Sequence, residues 1–280
     1  MHITELLNMD IADFAKERSR MDKLLNMEVG GAWDGCVSLK QMIEPHFMKC
    51  PIRGTAISID DLFETYSKHW AANTLEGLLL YCEIISNLIY TLPSNYLTDH
   101  DISRNRDQII SNVKYILEKT GNQLAAGAGK ALIIVPKDEL VQAVIEDITD
   151  KDVGLAILEY GRFGNKGNLK HKREALIKIA RCLEPKLKDK KLNGFGKELA
   201  DDINFGLNNF NIRHNNEDGN SENVLLKEMS SQMMEIVYDD LYRALLTFFE
   251  VGKCAEGLER FSKLRLLIKE RKEAAKVIKE

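Results

Sequence analysis

The sequence has 280 residues, of which 44% are apolar and 29% charged, and its formal net charge is −4. This composition excludes a globally disordered chain and a global positive field directed at nucleic acid or membrane. The five cysteines are odd in number and widely spaced with no Cys-x-x-Cys pair, so we expect a reducing compartment without disulfides or a zinc site.

The N-terminal part predicts helices over residues 3–28, 60–91 and 102–120. Asn73-Thr74 indicates a break that divides the second of these into two helices. The stretch 78–92 is so densely apolar that we expect it to lie in the core. Gly121 is a typical helix stop after the third.

One short β-branched run, residues 131–135, predicts a strand that ends at Pro136. We expect it to pair with residues 56–59 as a small ribbon. The segment before it, LAAGAGK at 124–130, lacks the spacing, the Ser or Thr after the lysine and the preceding strand of a phosphate-binding loop. It is interpreted as a flexible linker.

The C-terminal part predicts a series of helices, over residues 138–148, 150–160, 169–184, 195–212, 222–250 and 254–278. Pro185 is expected to end the third. The last is charged and has an apolar stripe, which could dock on its own bundle or on a second copy; its residues are Leu258, Phe261, Leu264, Leu267 and Ile268.

These patterns predict an all-α protein, a multi-helix bundle or array with at most a short two-stranded β-ribbon. The expected organisation is an N-terminal helical region over 1–122, a C-terminal bundle over 137–252 and a charged helix over 254–280. Whether the two regions share one core stays open. Neither a signal peptide nor a membrane span is indicated, and we expect a cytoplasmic protein that does not engage membranes.

Residues 166–191 form a basic stretch, with ten Lys or Arg against three Asp or Glu. Such a stretch could follow a phosphate backbone. The favoured alternative is the solvent face of an amphipathic helix, because the stretch lacks aromatic residues that could stack on bases.

The loop NNFNIRHNNEDGN at 208–220 is the most unusual segment. In it, Arg213 could hold a phosphodiester and His214 could transfer its protons, with Asn215 or Asn216 positioning the substrate. The favoured alternative is a helix end, because Arg and His complement the helix dipole and Asn suits a left-handed cap.

A second polar group surrounds the loop at 161–168. Tyr160, Arg162 and His171 could join Arg213 and His214 in one binding pocket, or they could form an ordinary helix-end network. Histidine pairs and acidic pairs at metal-ligand spacing are absent from the sequence, so neither a metal site nor a cofactor is expected.

The segment ILEYGRFGNKGNLKHKREALIKIARCLEP, followed by NNFNIRHNN and a long helix, resembles a group of uncharacterised bacterial helical proteins distantly related to HEPN and abortive-infection type domains. The resemblance covers roughly residues 155–250. It implies a dimeric, metal-independent ribonuclease of toxin–antitoxin or phage-defence type. The motif of that group is an Arg and a His separated by four to six residues, whereas Arg213 and His214 are adjacent in this chain.

Two functions therefore remain open. The favoured one is a non-enzymatic binding or interaction module whose partner is a protein or an RNA. The resemblance would place it in a phage-defence or stress system, and a homodimer is an option. The alternative is a metal-independent ribonuclease that uses Arg213 and His214.

Overall fold

The computed structural model describes residues 13–30, 36–70, 73–93, 100–188, 194–213 and 229–277. Over these ranges the protein is all-α, which confirms the predicted fold class. Two short two-stranded ribbons accompany the helices, where the sequence predicted at most one. The chain divides into two compact units: unit 1 holds the described residues up to Lys137 together with Gly161–Lys166, and unit 2 holds Asp138–Tyr160 and the chain from Gly167 onward.

The helices of unit 1 are α1 (Phe14–Asn26), α2 (Leu39–Ile43), α3 (Ile59–Trp70), α4 (Leu75–Tyr90) and α5 (His100–Lys119). The predicted break between α3 and α4 is confirmed, because the Thr74 hydroxyl caps α4 by accepting from the Gly77 amide at 3.1 Å. The predicted stop after α5 is also confirmed, since Gly121 has a φ of +66°. Residues before 13 lie outside the described ranges.

Helix α4 is the central helix of unit 1, as its apolar density predicts. Most of its side chains are buried, including Leu78, Cys82, Ile85 and Leu88. A helix that is apolar on every side is stable only when neighbours surround it. Fully burying each leucine or isoleucine contributes about 1.5–3 kcal/mol, so α4 organises the core of unit 1.

The ribbons of unit 1 are both antiparallel. Strand β1 (Glu28–Gly30) pairs with β2 (Cys36–Ser38), and β3 (Asn122–Ala126) pairs with β4 (Leu132–Pro136). The β4 strand is confirmed, but its predicted pairing with residues 56–59 is wrong, and the predicted linker supplies its partner β3. A strand that follows directly in the chain closes a much shorter loop, so its pairing loses less entropy.

The helices of unit 2 are α6 (Glu139–Asp147), α7 (Lys151–Tyr160), α8 (Leu169–Leu187), α9 (Gly194–Asn209) and α10 (Ser231–Val277). Asp138 caps α6, since one of its carboxylate oxygens accepts from the Leu140 amide at 2.9 Å. Helices α9 and α10 approach closely at Gly206, where a Cβ atom would lie 3.1 Å from the Leu241 Cδ1. The buried side chains of these five helices form a core separate from that of unit 1.

Two sequence predictions about unit 2 are wrong. Helix α8 continues through Pro185 to Leu187, because a proline in the last turn removes only one backbone hydrogen bond. Helix α10 runs without the predicted break near residue 252, since a single glycine weakens a helix by about 1 kcal/mol but does not end it.

In the part of the chain that the structure describes, no helix combines the length and the apolar character needed to cross a lipid bilayer. The cytoplasmic location stays a prediction from the sequence.

Candidate functional site

A buried lysine lies at the centre of a polar group of unit 2. Lys172 is only 6% exposed, and its Nζ lies 2.7 Å from the Glu235 Oε1 and 2.7 Å from the Asp239 Oδ1. Tyr160 and Tyr242 complete this group, which we call the Lys172 cluster. It joins the end of α7, the first turn of α8 and the first third of α10.

Three contacts hold Tyr160 in the cluster. Its hydroxyl donates a hydrogen bond to the Asp239 Oδ1 at 2.9 Å, and its ring stacks on the Tyr242 ring with centroids 4.0 Å apart. The Lys172 Nζ lies 5.3 Å from the same ring, within the range of a cation–π contact. Burial, and then the Asp239 carboxylate, raise the pKa of Tyr160 far above its usual value. The phenol therefore remains a hydrogen-bond donor at any ordinary pH.

The carboxylates of the cluster also bind the segment that leads into α8. The backbone amide of Gly167 donates to the Glu235 Oε1 at 2.7 Å, and Gly167 has a φ of +75°. A backbone in this left-handed region favours glycine. The same oxygen of Glu235 thus receives a backbone donor and the Lys172 ammonium, and the cluster holds the start of α8 against α10.

His171 lies beside the cluster. Its Nε2 is 4.0 Å from the Glu159 Oε2, and its backbone amide donates to the Asn168 side chain that caps α8. The Nε2 is buried without a hydrogen-bond partner in the structure, although about a third of the side chain is exposed. The geometry gives the imidazole a nearby carboxylate but no aligned hydrogen bond.

Arg213 is held by the last turns of α9. Its Nη1 donates to the Asn204 Oδ1 at 2.9 Å and to the Asn208 Oδ1 at 3.3 Å, while its backbone amide donates to the Leu207 carbonyl at 3.0 Å. Asn211, two residues earlier, has a φ of +60°, the left-handed conformation typical of a residue after a helix. This arrangement is that of a helix end. His214, Asn215 and Asn216 lie outside the described residues.

Arg162 lies in the part of the loop that belongs to unit 1. Its Nη2 pairs with the Glu83 Oε1 within unit 1, and the other oxygen of Glu83 accepts from the Ile134 amide at 2.8 Å. Glu83 is 3% exposed; burial raises its pKa, while the Arg162 charge and the Ile134 amide oppose that rise. Arg162 therefore binds the loop at 161–166 to α4 and β4.

The described residues give three of the candidate side chains separate sets of contacts. Tyr160 is held in the Lys172 cluster, Arg162 pairs with Glu83, and Arg213 bonds to asparagines of α9. Two atoms of these side chains, the Arg162 Nε and the Arg213 Nη2, are buried without a hydrogen-bond partner in the structure. A common binding pocket for the candidate residues stays a prediction from the sequence.

Sequence reasoning missed the residue at the centre of the site. It assigned the lysines of residues 166–191 to the solvent face of α8, and that assignment is wrong for Lys172. The signal was present, because Lys172 precedes Leu176 and Ile179 by four and seven positions and so falls on their buried stripe. Of the adjacent Asp239 and Asp240, Asp239 contacts Lys172, whereas Asp240 is exposed.

Among the described residues, His, Cys, Asp and Glu side chains do not gather into a group of three that could hold a metal ion. Comparison with protein-family models, curated proteins and solved structures finds no match for this chain.

Proposed function

We propose that this chain is a non-enzymatic binding module that engages a protein partner through the C-terminal part of α10. One observation carries the proposal. Among the α10 side chains that the structure describes, Leu264 and Leu266 are each more than half exposed, whereas the buried ones lie between Tyr238 and Phe248. Exposed leucines on a helix beyond its packed part are typical of a surface that another helix covers.

The absence of enzymatic activity is supported by the bonding of the candidate catalytic groups. In the Lys172 cluster the ammonium faces two carboxylates, and the phenol of Tyr160 donates to one of them. A catalytic acid or base needs a proton that a substrate can reach, whereas these protons are directed at protein oxygens. The Nη1 of Arg213 likewise donates to the side chains of Asn204 and Asn208.

The role in phage defence or stress, the cytoplasmic location and the HEPN-like kinship rest on the sequence alone and remain predictions. An RNA partner is disfavoured as the primary ligand, because the exposed leucines offer apolar contact rather than aromatic stacking.

The test is incubation of the purified full chain with a mixed RNA pool in EDTA. We expect no cleavage by the wild type. The Arg213→Ala variant and an exposed control on α8, Arg181→Ala, are assayed in parallel with their melting temperatures. Cleavage that is lost in Arg213→Ala and kept in Arg181→Ala, with both variants folded, would overturn the proposal in favour of a metal-independent ribonuclease.

A further inference from the structure

The part of α10 beyond Lys253 has the features of an uncovered interface. The Lys253 ammonium donates to the Ala143 carbonyl at 3.1 Å and pairs with Asp147, which attaches α10 to α6. Beyond it, Cys254, Arg260 and residues 262–266 are exposed. An isolated helical segment is only marginally stable in water, so packing against another surface would stabilise this one.

A second uncovered surface lies near the start of the same helix. Met233 and Ile236 are each more than half exposed, and the exposed Asp240 follows one turn later. Phe205 of α9, the helix that packs against α10, is 63% exposed. Met233, Ile236 and Asp240, at steps of three and four along α10, thus form an apolar and acidic surface, which we call the acidic patch.

The two ends of α10 have opposite charge. Residues 231–253 contain four Asp or Glu against two Lys or Arg, while residues 262–277 contain six Lys or Arg against two Glu. The net charges are therefore −2 and +4. The basic end also carries the exposed leucines, so each end combines apolar side chains with one sign of charge.

Both surfaces lie on one line along the helix. Steps of alternately three and four residues connect them without interruption, through Met233, Ile236, Asp240, Arg243, Thr247, Glu250, Cys254, Gly257, Phe261 and Leu264. Positions at this spacing form one stripe, which we call the seam and which a second helix can follow along its length, although the apolar residues of a heptad repeat are present only near its ends. The seam is apolar near its ends and polar in its middle.

From this arrangement we infer that the partner is a second copy of the chain, which rests on the proposed function of α10 as an interaction surface. The two α10 helices pack antiparallel, so that the basic end of each copy covers the acidic patch of the other. The register places Asp240 of one copy beside Leu264 and Arg265 of the second copy, and Ile236 beside position 268. The two copies are related by a two-fold axis, so the dimer contains two identical contacts between a basic end and an acidic patch.

Charge favours this orientation over the parallel one. In this register residues 231–242, with three Asp or Glu and no Lys or Arg, face residues 262–273, with five Lys or Arg against two Glu, at both ends of the pair. Lys172 already pairs with Glu235 and Asp239, so Asp240 is the acidic residue left for the second copy. Parallel packing would instead set like charges against each other at both ends. Like charges placed opposite each other across an interface oppose association and select against that orientation.

Sedimentation velocity of the full chain tests the inference through a charge exchange. We expect a dimer in the wild type, a dissociation constant raised at least about tenfold in Asp240→Lys and in Arg265→Glu, and recovery in the double variant. Glu174→Lys, an exposed change on α8, serves as the control and leaves the dimer intact.

A monomeric wild type, single variants that dimerise normally, or a double variant weaker than both singles would each overturn the inference. A monomer without ribonuclease activity would leave the proposed binding function standing with a different protein as partner. RNA cleavage in EDTA would overturn that function instead.

Discussion

The hydroxyl of Tyr160 donates a hydrogen bond to the Oδ1 of Asp239 at 2.9 Å, and that same oxygen lies 2.7 Å from the Lys172 Nζ. One carboxylate oxygen therefore connects the end of α7, the start of α8 and α10. Each polar group in a buried network must be satisfied, so the three helices are held in one relative arrangement. The network thereby anchors the half of α10 that precedes the proposed interface.

Removal of the Lys172 ammonium should destabilise unit 2. Lys172→Met keeps the aliphatic length but leaves Glu235 and Asp239 without their shared cation, and Asp239 is about half exposed, which moderates the cost. We expect a loss of about 2–3 kcal/mol in the free energy of unfolding by urea. Lys178→Met, an exposed change on the same helix, should stay within about 0.5 kcal/mol of the wild type. Equal losses in the two variants would contradict a structural role for the cluster.

Tyr160 should make the stability fall in alkaline solution. Because the pKa of Tyr160 is raised in the folded protein, the unfolded chain releases this proton at lower pH than the folded one. The stabilisation is complete below about pH 10, the ordinary tyrosine value, and is lost as pH rises beyond it. Tyr160→Phe should flatten this decline between about pH 9 and about pH 11, measured by urea unfolding. The variant should also lose about 1–2 kcal/mol at neutral pH. An unchanged alkaline slope would show that Tyr160 titrates normally.

Asn87 should be required for the attachment of the β3–β4 ribbon to α4. Its side chain is fully buried and bonds both the amide and the carbonyl of Leu132, at 2.8 and 2.7 Å. Asn87→Ala leaves both backbone groups without these bonds, at a cost of about 2–3 kcal/mol. Hydrogen exchange should then accelerate at the Leu132 amide, while Asn26→Ala, an exposed control, leaves it slow. Retained protection in Asn87→Ala would contradict this assignment.

The sequence predicts the parts of this protein that depend on neighbours in the chain. The helices, the caps at Thr74 and Asp138 and the stop at Gly121 follow from local periodicity and local hydrogen bonds. The partners of Lys172 were not predictable in this way, because Glu235 and Asp239 are more than sixty positions away along the chain. A charged residue on a buried stripe indicates that a partner exists, but only packing determines which residue it is.

The β3–β4 pairing is a second feature that local sequence patterns do not predict in full. Strand β4 was evident from its composition, whereas β3, rich in alanine, has weak strand propensity of its own. It is a strand because β4 follows it after a tight turn at Gly127, where a Cβ atom would lie 2.8 Å from the Ile133 Cγ2. Glycine there indicates a close turn rather than the flexible linker expected from sequence.

We expect the Arg213 side chain to contribute to the stability of the folded protein and to no other property. Arg213→Ala removes the bonds to Asn204 and Asn208, and we expect a loss of about 1–2 kcal/mol. Arg213→Lys keeps the charge without the planar fork of donors, so it should recover only part of that loss. Thermal unfolding of both variants checks this prediction. A wild-type melting temperature in Arg213→Ala would remove the helix-end interpretation and reopen a role for this side chain in ligand binding.

The most direct test of the account is hydrogen exchange along α10 of the full chain at low and at high protein concentration. Residues 231–253 should be protected at both concentrations, because they pack within unit 2. Amides beyond Lys253 should become protected only at high concentration, when a second copy covers them, and Leu264→Glu should abolish that gain. Rapid exchange beyond Lys253 at every concentration of the wild type would contradict the claim that α10 forms the interface.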